Sequence, residues 1–280
     1  MPLHNLKFLV KYCALLLCGM STLATSQTTL AADLQLTITG SSTVAPLISE
    51  VGKRFETQHP NTRIEVQTGG SSRGIADVRR GSADIGMVSR ALHADEQQIL
   101  DSHLVGMDGI TMIAHKNNPI KNLSKQEIID IYTGKITHWS TLKGPDKQIT
   151  VVNKAAGRST LEGFLNYVGL KNRQIDADVI VGDNLQGVKT VAANPNALGY
   201  VSIGTAEYEA AHGTDIKRIR MDGVLASTEL VRKGEFAVAR ELNLVTKGDI
   251  SPLAQQFIEF ARSKEVHDLV EAQYFVAVEK

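Results

Sequence analysis

Three short turns of this chain combine glycine with hydroxyl-bearing or basic residues, and a helical pattern follows each turn. They lie at residues 40–43 (GSST), 70–74 (GSSRG) and 157–160 (GRST). The first backbone N–H groups of a helix lack partners within it and carry partial positive charge, so they bind anions. Hydroxyl and guanidinium groups there add directed donors. Each turn alone also fits an ordinary N-cap, but together they predict that three helix N-termini converge on one small oxyanion.

The candidate ligands are donors within these turns and at the end of one strand. Arg158 at a helix start opposes the helix dipole, a cost that a bound anion would offset. Ser89 and Arg90 end a strand, where ligands bind in open α/β sheets. No histidine spacing typical of a metal site occurs, and no phosphate-binding loop of the Walker type. The predicted anion-binding residues are Ser42, Thr43, Ser71, Ser72, Ser89, Arg90, Lys154, Arg158, Ser159 and Thr160.

The second turn also supports a rival interpretation, because residues 70–74 match the G-x-S-x-G pattern of the nucleophile elbow in α/β hydrolases. Ser72 would then be the nucleophile, followed by Asp183 and by His212 or His267 in the chain order of those enzymes. Three observations argue against this hydrolase interpretation. Only one β-α unit precedes the turn, and an arginine is an unusual neighbour for a nucleophile. The interpretation also leaves the other two turns unexplained. We therefore favour binding over catalysis and predict no catalytic residue.

The N-terminal segment has the features of a secretion signal. Lys7 and Lys11 give a basic start, residues 12–20 form a short apolar run, and the alanines at 31–32 offer a cleavage site. The run is too short to span a bilayer. We expect a signal peptide over residues 1–32 and a soluble, exported mature chain in the periplasm.

Both cysteines, Cys13 and Cys18, lie inside the predicted signal peptide. The mature chain would therefore contain no disulfide and no thiolate metal site. Leu17 directly before Cys18 argues against a lipid anchor. Without residues 1–32, which hold two lysines and no acidic residue, 28 basic residues face 30 acidic ones. This balance gives no reason to expect nucleic acid as a partner, and we expect a monomer without a cofactor.

The elements that position the turns follow from hydrophobic periodicity. Strands are predicted at 34–39, 63–68 and 84–88 with helices between them, and this β-α-β-α-β series predicts a mainly parallel sheet flanked by helices. A strand at 108–115 is interpreted as the crossing into a second lobe, and residues 235–240 as the return. Further strands are predicted at 149–153, 179–182, 198–203 and 242–246, and further helices from Ser124, at 161–168 and at 251–263.

Two crossings imply an α/β protein with two lobes and a cleft between them, the usual place for a ligand. The predicted organisation is a first lobe of residues 33–108 plus 240–280 and a second lobe of residues 109–239.

Four segments carry a resemblance to a known family. They are ITGSSTVAPL (38–47), GGSSRGIADVRRGSADIGMVSR (69–90), LSKQEIIDIYTGKITHW (123–139) and NPNALGYVSI (194–203). In this order, over most of the mature chain, they resemble the periplasmic phosphate-binding proteins of ABC transporters. The resemblance implies a hinged, two-lobed type II periplasmic-binding-protein fold that closes on phosphate and delivers it to a membrane permease.

The same resemblance assigns four contact loops, which fall on Ser42 with the Thr43 backbone, on Ser71, on residues 89–90 and on residues 154–160. The fourth loop departs from the family's usual Arg-x-x-Gly-Ser-Gly-Thr pattern in two places. Lys154 stands where the family has its arginine, and Arg158 and Ser159 stand where it has the Ser-Gly pair.

Arg90 is a second departure, since long family members carry there an aspartate that accepts the proton of phosphate. The site is therefore predicted to be more cationic than theirs. Two alternatives stay open beside phosphate transport: another oxyanion (sulfate, molybdate or tungstate), and a binding protein that serves signalling.

Overall fold

The computed structural model describes residues 34–278, so the predicted signal peptide lies outside the described residues. Within that range strands and helices alternate along most of the chain. The strands are β1 (Leu34–Gly40), β2 (Thr62–Thr68), β3 (Ile85–Val88), β4 (Asp101–His115), β5 (Asn122–Leu123), β6 (Thr150–Lys154), β7 (Val179–Val181), β8 (Ala197–Ser202), β9 (Ile216–Met221) and β10 (Ala239–Thr246). The α-helices are α1 (Ala45–Gln58), α2 (Ser71–Arg80), α3 (Lys125–Tyr132), α4 (Ser159–Val168), α5 (Asn184–Ala193), α6 (Ile203–Ala211), α7 (Thr228–Arg232), α8 (Pro252–Ala261) and α9 (His267–Ala272).

The strands form one mixed sheet in the order β2-β1-β3-β10-β4-β8-β6-β7, with β9 beside β4 and β5. Strands joined by helices are parallel, as predicted: β1 pairs in parallel with β2 and β3, and β6 with β7 and β8. The strands β4 and β10, in contrast, run antiparallel to all their partners. Two groups of parallel strands are thus joined by two long antiparallel strands.

Strand β4 belongs to both halves of the sheet. Its first part, Asp101 to Gly109, pairs with β10, and the part from Ile110 onward pairs with β8 and β9. The sequence predicted only residues 108–115 of this strand, whereas the strand begins at Asp101 with two exposed polar residues. The predicted crossing is therefore the second half of a continuous strand.

The apolar side chains form two main cores, one on each side of this crossing. The first packs α1 and α8 against β1 and β3 and includes Phe55 and Phe257. The second packs α3 and α4 against β6 and β8, and the rings of Phe164 and Tyr200 stack there with centroids 4.0 Å apart. The fold is accordingly a two-lobed α/β fold, and we call the lobe around the first core the first lobe and the other the second lobe.

Local signals place the starts of α1 and α3 as predicted, whereas α2 and α4 begin earlier than predicted, at Ser71 and Ser159 inside the predicted turns. Ser124 and Glu127 form the predicted capping box of α3, with the backbone N–H of Glu127 donating to Ser124 Oγ at 3.2 Å. Pro46 lies in the first turn of α1, where its missing N–H costs nothing. Across residues 34–278 we find no helix with the length and apolar character of a membrane span.

Candidate functional site

The turn before α1 contributes two buried hydroxyls. Ser41 Oγ donates to Ser89 Oγ at 3.0 Å and accepts the backbone N–H of Thr43 at 3.2 Å. Thr43 is buried and accepts a hydrogen bond from Asn184 Nδ2 at 3.0 Å, a contact between α5 of the second lobe and the first lobe. Ser42 is half-buried and lines a groove beside Asn184. The structure thus places Thr43, and not Ser42, at the centre of this contact.

The start of α2 meets the second lobe. Gly70 has φ of +95°, and a Cβ there would lie 2.7 Å from the carbonyl oxygen of Gly157, so only glycine fits. The next residue, Ser71, is buried and accepts the backbone N–H of Ser89 at 3.1 Å. Ser72 is exposed, and its backbone N–H donates to the Gly157 carbonyl at 3.3 Å. Backbone therefore touches backbone across the cleft at this turn.

The third turn opens α4 with donors that lack partners. Arg158 is the N-cap residue and makes no capping hydrogen bond with its side chain. Arg158 Nε and Ser159 Oγ are buried and have no hydrogen-bond partner among residues 34–278. Because buried polar groups are almost always paired, two orphaned donors beside a helix N-terminus mark this turn as a place for an acceptor.

Arg240, which the sequence did not suggest, joins the first and third turns and the end of β3. Its Nη1 donates to Thr160 Oγ1 at 3.0 Å and to Ser89 Oγ at 3.4 Å, and its Nη2 donates to Thr43 Oγ1 at 3.1 Å. The guanidinium also pairs with Asp108, whose Oδ2 accepts from Nε at 3.1 Å and from Nη2 at 2.9 Å. Both side chains are buried, with 7% and 0% exposed. Hydroxyls from both lobes thus surround one buried cation.

This ion pair lies where the strands cross between the lobes. Asp108 is in β4 and Arg240 in β10, and the two residues face each other in the register of these antiparallel strands. The second carboxylate oxygen of Asp108 accepts the backbone N–H of Gly204 at the start of α6. No motif marks either residue, and their separation by 132 positions along the chain hides the pairing. The one sign of this ion pair in the sequence was that an acidic and a basic residue lie at the two predicted crossings.

Lys154 brings a second buried cation to the site. Its Nζ donates to the backbone carbonyl of Asp183 at 2.7 Å. Burial lowers the pKa of Lys154 to about 7, the charge of Asp183 opposes this shift, and repulsion from Arg240 and Arg158 adds to it. The ammonium is therefore held in a position where a nearby anion would strongly favour its charged form.

The predicted role of the Arg90 side chain is not supported by its geometry. Its Nη1 and Nη2 donate to the two carboxylate oxygens of Glu96 at 2.7 and 2.8 Å, and Nη1 also donates to the backbone of Ala91. Burial acts to lower the pKa of Arg90, but the hydrogen bonds to Glu96 and the charge of Glu162 outweigh it, and the pKa is raised. The guanidinium is thus committed to carboxylates, whereas its neighbour Ser89 lies in the site.

The residues of the hydrolase interpretation do not form a triad. Asp183 caps α5, with Oδ1 accepting the N–H of Gln186 at 2.7 Å. The ring of His212 contacts the carbonyl of Tyr208 at 2.7 Å, and His267 begins α9 in the first lobe. None of these side chains hydrogen-bonds to Ser72 within residues 34–278. Over the same residues, no group of three metal-ligating side chains is present.

Comparisons with known proteins identify the family of this chain. Residues 25–265 match a family model described as a PBP superfamily domain. The phosphate-binding protein PstS of Bacillus subtilis (strain 168) is 31% identical over 252 residues, which cover 87% of this chain and 80% of that protein.

Two solved structures share the fold and enough sequence to support a functional comparison. A putative phosphate ABC transporter substrate-binding protein from Clostridium perfringens, with bound phosphate, is 34% identical with a TM-score of 0.81, covering 88% of this chain and 100% of that one. An ABC-type phosphate transport receptor from Vibrio cholerae is 28% identical with a TM-score of 0.70, covering 87% and 100%. The chain therefore belongs to the periplasmic-binding-protein superfamily and, within it, to the phosphate-binding proteins of ABC transporters.

Proposed function

We propose that this protein captures phosphate in the cleft between its lobes and delivers it to an ABC permease in the membrane. The observation that carries the proposal is that the first and third turns meet Ser89 around the buried Arg240, and that Ser71 of the second turn accepts the backbone N–H of Ser89. The hydroxyls of Thr43, Ser89 and Thr160 lie within 3.0–3.4 Å of its guanidinium nitrogens. A tetrahedral oxyanion has four acceptor oxygens, which suit donors that approach from two sides.

The orphaned donors of the third turn support binding at its end of the cleft. Ser159 Oγ and Arg158 Nε are buried without partners in the described chain, and the first N–H groups of α4 point out of the same turn. The Arg158 side chain passes over Gly70, where an added Cβ would come within 2.8 Å of its Cδ. The phosphate ligands that we propose are these groups together with Thr43, Ser71, Ser89, Lys154 and Thr160.

Capture by closure suits the way in which the site is divided. Thr43, Ser71 and Ser89 come from the first lobe, whereas Arg158 to Thr160 come from the second. We propose that the first lobe comprises residues 33–108 plus 240–280 and the second residues 109–239, because β4 and β10 pass between the cores at these points. Closure would then bring the two sets of donors around the anion.

We further propose that residues 1–32 export the chain to the periplasm and are removed, and that the mature protein is a monomeric binding protein without catalytic activity. Cys18 follows Leu17, which supports a form without a lipid anchor. Asp183 and His212 make hydrogen bonds to Gln186 and to Tyr208 instead of to Ser72, which supports binding rather than hydrolysis.

Titration calorimetry with phosphate, arsenate, sulfate, molybdate and tungstate tests this function. We expect phosphate to bind and to keep its affinity at pH 7.5 in a large excess of sulfate. Full competition by sulfate at a comparable concentration would leave a general oxyanion binder, and tighter binding of molybdate or tungstate would assign another cargo. Absence of heat with every anion would overturn the proposal.

A further inference from the structure

Beside the anion site, four charged or titratable side chains form a cluster that the proposed phosphate ligands do not use. Arg90, His93 and Glu96 belong to the segment between β3 and β4 of the first lobe, whereas Glu162 lies in the first turn of α4 in the second lobe. We call these four residues the interlobe ion-pair cluster. Arg90, His93 and Glu162 border a cavity of about 640 Å³ that also touches Ser89, Ser159 and Arg240.

Glu162 contacts two basic side chains across the cleft. Its Oε2 lies 3.1 Å from Arg90 Nε, and its Oε1 lies 3.1 Å from His93 Nε2. The Arg90 contact has the distance of an ion pair but lies outside hydrogen-bond geometry. The terminal nitrogens of Arg90 are held by Glu96, so the guanidinium has a fixed position from which it can receive Glu162.

The cluster is placed to act on α4. Glu162 follows Ser159 and Thr160 by less than one helical turn. The contacts of its carboxylate with the first lobe therefore help to fix the position of the helical turn that carries these hydroxyls. Arg90 is 12% exposed and Glu162 36%, whereas His93 is 50% exposed. The Arg90 pair is therefore partly shielded from solvent and from salt, and it is the stronger of the two contacts.

From this arrangement we propose that Glu162 is a positioning residue that holds α4 against the first lobe and stabilises the closed cleft through Arg90 and His93. The inference rests on the proposed function, because closure on phosphate is the step that it stabilises. It also explains the arginine at position 90: the guanidinium contributes to the affinity for the anion through closure rather than through contact.

The effect of the interlobe contacts of Glu162 on phosphate binding can be distinguished from the effect of its negative charge. A carboxylate close to the site also repels an anion, so neutralising Glu162 by charge alone would speed phosphate association and tighten binding. Losing the interlobe contacts would instead speed dissociation. The matched control is Glu241, a carboxylate of β10 that borders the same cavity. Its Oε2 accepts a hydrogen bond from Asn243 Nδ2 of its own strand at 2.8 Å, and within residues 34–278 it makes no ion pair across the cleft.

Stopped-flow kinetics with inorganic phosphate tests the proposal in the full mature chain. We expect Glu162→Gln to raise the dissociation rate about three- to tenfold, as for the loss of partly exposed ion pairs, and Glu241→Gln to leave it within twofold. Combining Glu162→Gln with His93→Gln should give less than the product of the two single effects. An unchanged dissociation rate in Glu162→Gln, or an equal rise in Glu241→Gln, would overturn the role of Glu162.

A distance measurement keeps this test independent of phosphate. Spin labels on Lys53→Cys in α1 and Lys189→Cys in α5 report the separation of the lobes by pulsed electron paramagnetic resonance. Without ligand, we expect Glu162→Gln to lower the population at the short distance and Glu241→Gln to preserve it. Equal distributions in both variants would contradict the inference, whereas a protein that closes but binds no phosphate would overturn the proposed function alone.

Discussion

The buried ammonium of Lys154 predicts that phosphate binding takes up a proton above neutral pH. Burial lowers the pKa of Lys154 to about 7 in the free protein, compared with 10.5 for an ordinary lysine. A bound anion favours the ammonium, so it raises this pKa. At pH 8, about one tenth of the free molecules carry the charge. The apparent Kd is therefore about tenfold weaker at pH 8 than at pH 6, or about 1.4 kcal/mol.

The variant Lys154→Arg isolates this effect, because a guanidinium stays charged throughout this pH range. Phosphate itself changes its ionisation between pH 6 and pH 8, but this contribution is the same for both proteins and cancels in their ratio. We expect the ratio of the variant's affinity to that of the wild type to grow about tenfold from pH 6 to pH 8. Calorimetry at pH 8 in buffers with different ionisation enthalpies should give close to one more proton taken up by the wild type. Equal proton uptake in the two proteins would refute the reasoning.

The same shift has a second consequence in the protein without ligand. Between pH 7 and pH 10.5 the unfolded chain binds more protons at Lys154 than the folded chain, so the free energy of unfolding rises with pH across this window. The buried charge opposes folding fully below pH 7 and no longer does so above pH 10.5. In urea unfolding, the free energy of unfolding of Lys154→Met should rise less with pH over this window than that of the wild type. At pH 6 the variant should be more stable than the wild type. A variant less stable than the wild type at pH 6 would contradict this account.

Other substitutions separate ligand contacts from structural ones. Arg158→Ala should weaken phosphate binding by about 1.5–3 kcal/mol, or roughly 10- to 150-fold, with the thermal midpoint of the free protein unchanged; calorimetry that finds the affinity within twofold would exclude Arg158 as a ligand. Arg240→Met leaves the carboxylate of Asp108 buried without its cation, which should lower the free energy of unfolding in urea by about 3–5 kcal/mol. Adding Asp108→Asn should recover part of this lost stability. Ser72→Ala should leave any background hydrolysis of p-nitrophenyl esters unchanged, and labelling of Ser72 by a fluorophosphonate would revive the hydrolase interpretation.

Much of the fold could be predicted because its signals are local. The alternation in β1 and β2, the 3.6-residue spacing in α1 and the capping box of α3 each depend on neighbouring residues. The mixed character of the sheet could not be predicted in this way. Strand β10 is inserted between β3 and β4, and its antiparallel direction follows from the return of the chain from the second lobe rather than from any residue in the strand.

The same distinction applies to the site. The three turns were predictable, since glycine followed by hydroxyls and a helix is a local pattern. Arg240 and Asp108 were not, because each is an isolated charge in a strand and only the register of β4 with β10 brings them together. For Arg90, the family motif and its place at a strand end indicated an anion ligand, whereas Glu96, six residues further on, holds its guanidinium in the structure.

The central place of β10 in the sheet has a consequence for the biogenesis of the protein. Strands β1 to β4 are synthesised early, but the gap between β3 and β4 can be filled only when residues 239–246 have been made. The first core also needs Phe257 and Phe260 of α8, which are made later still. The first lobe is therefore built from contacts between distant parts of the chain, which form slowly. Until synthesis is nearly finished, the nascent chain has no complete lobe at its N-terminal end, and a chain in that state can still be threaded through a membrane channel.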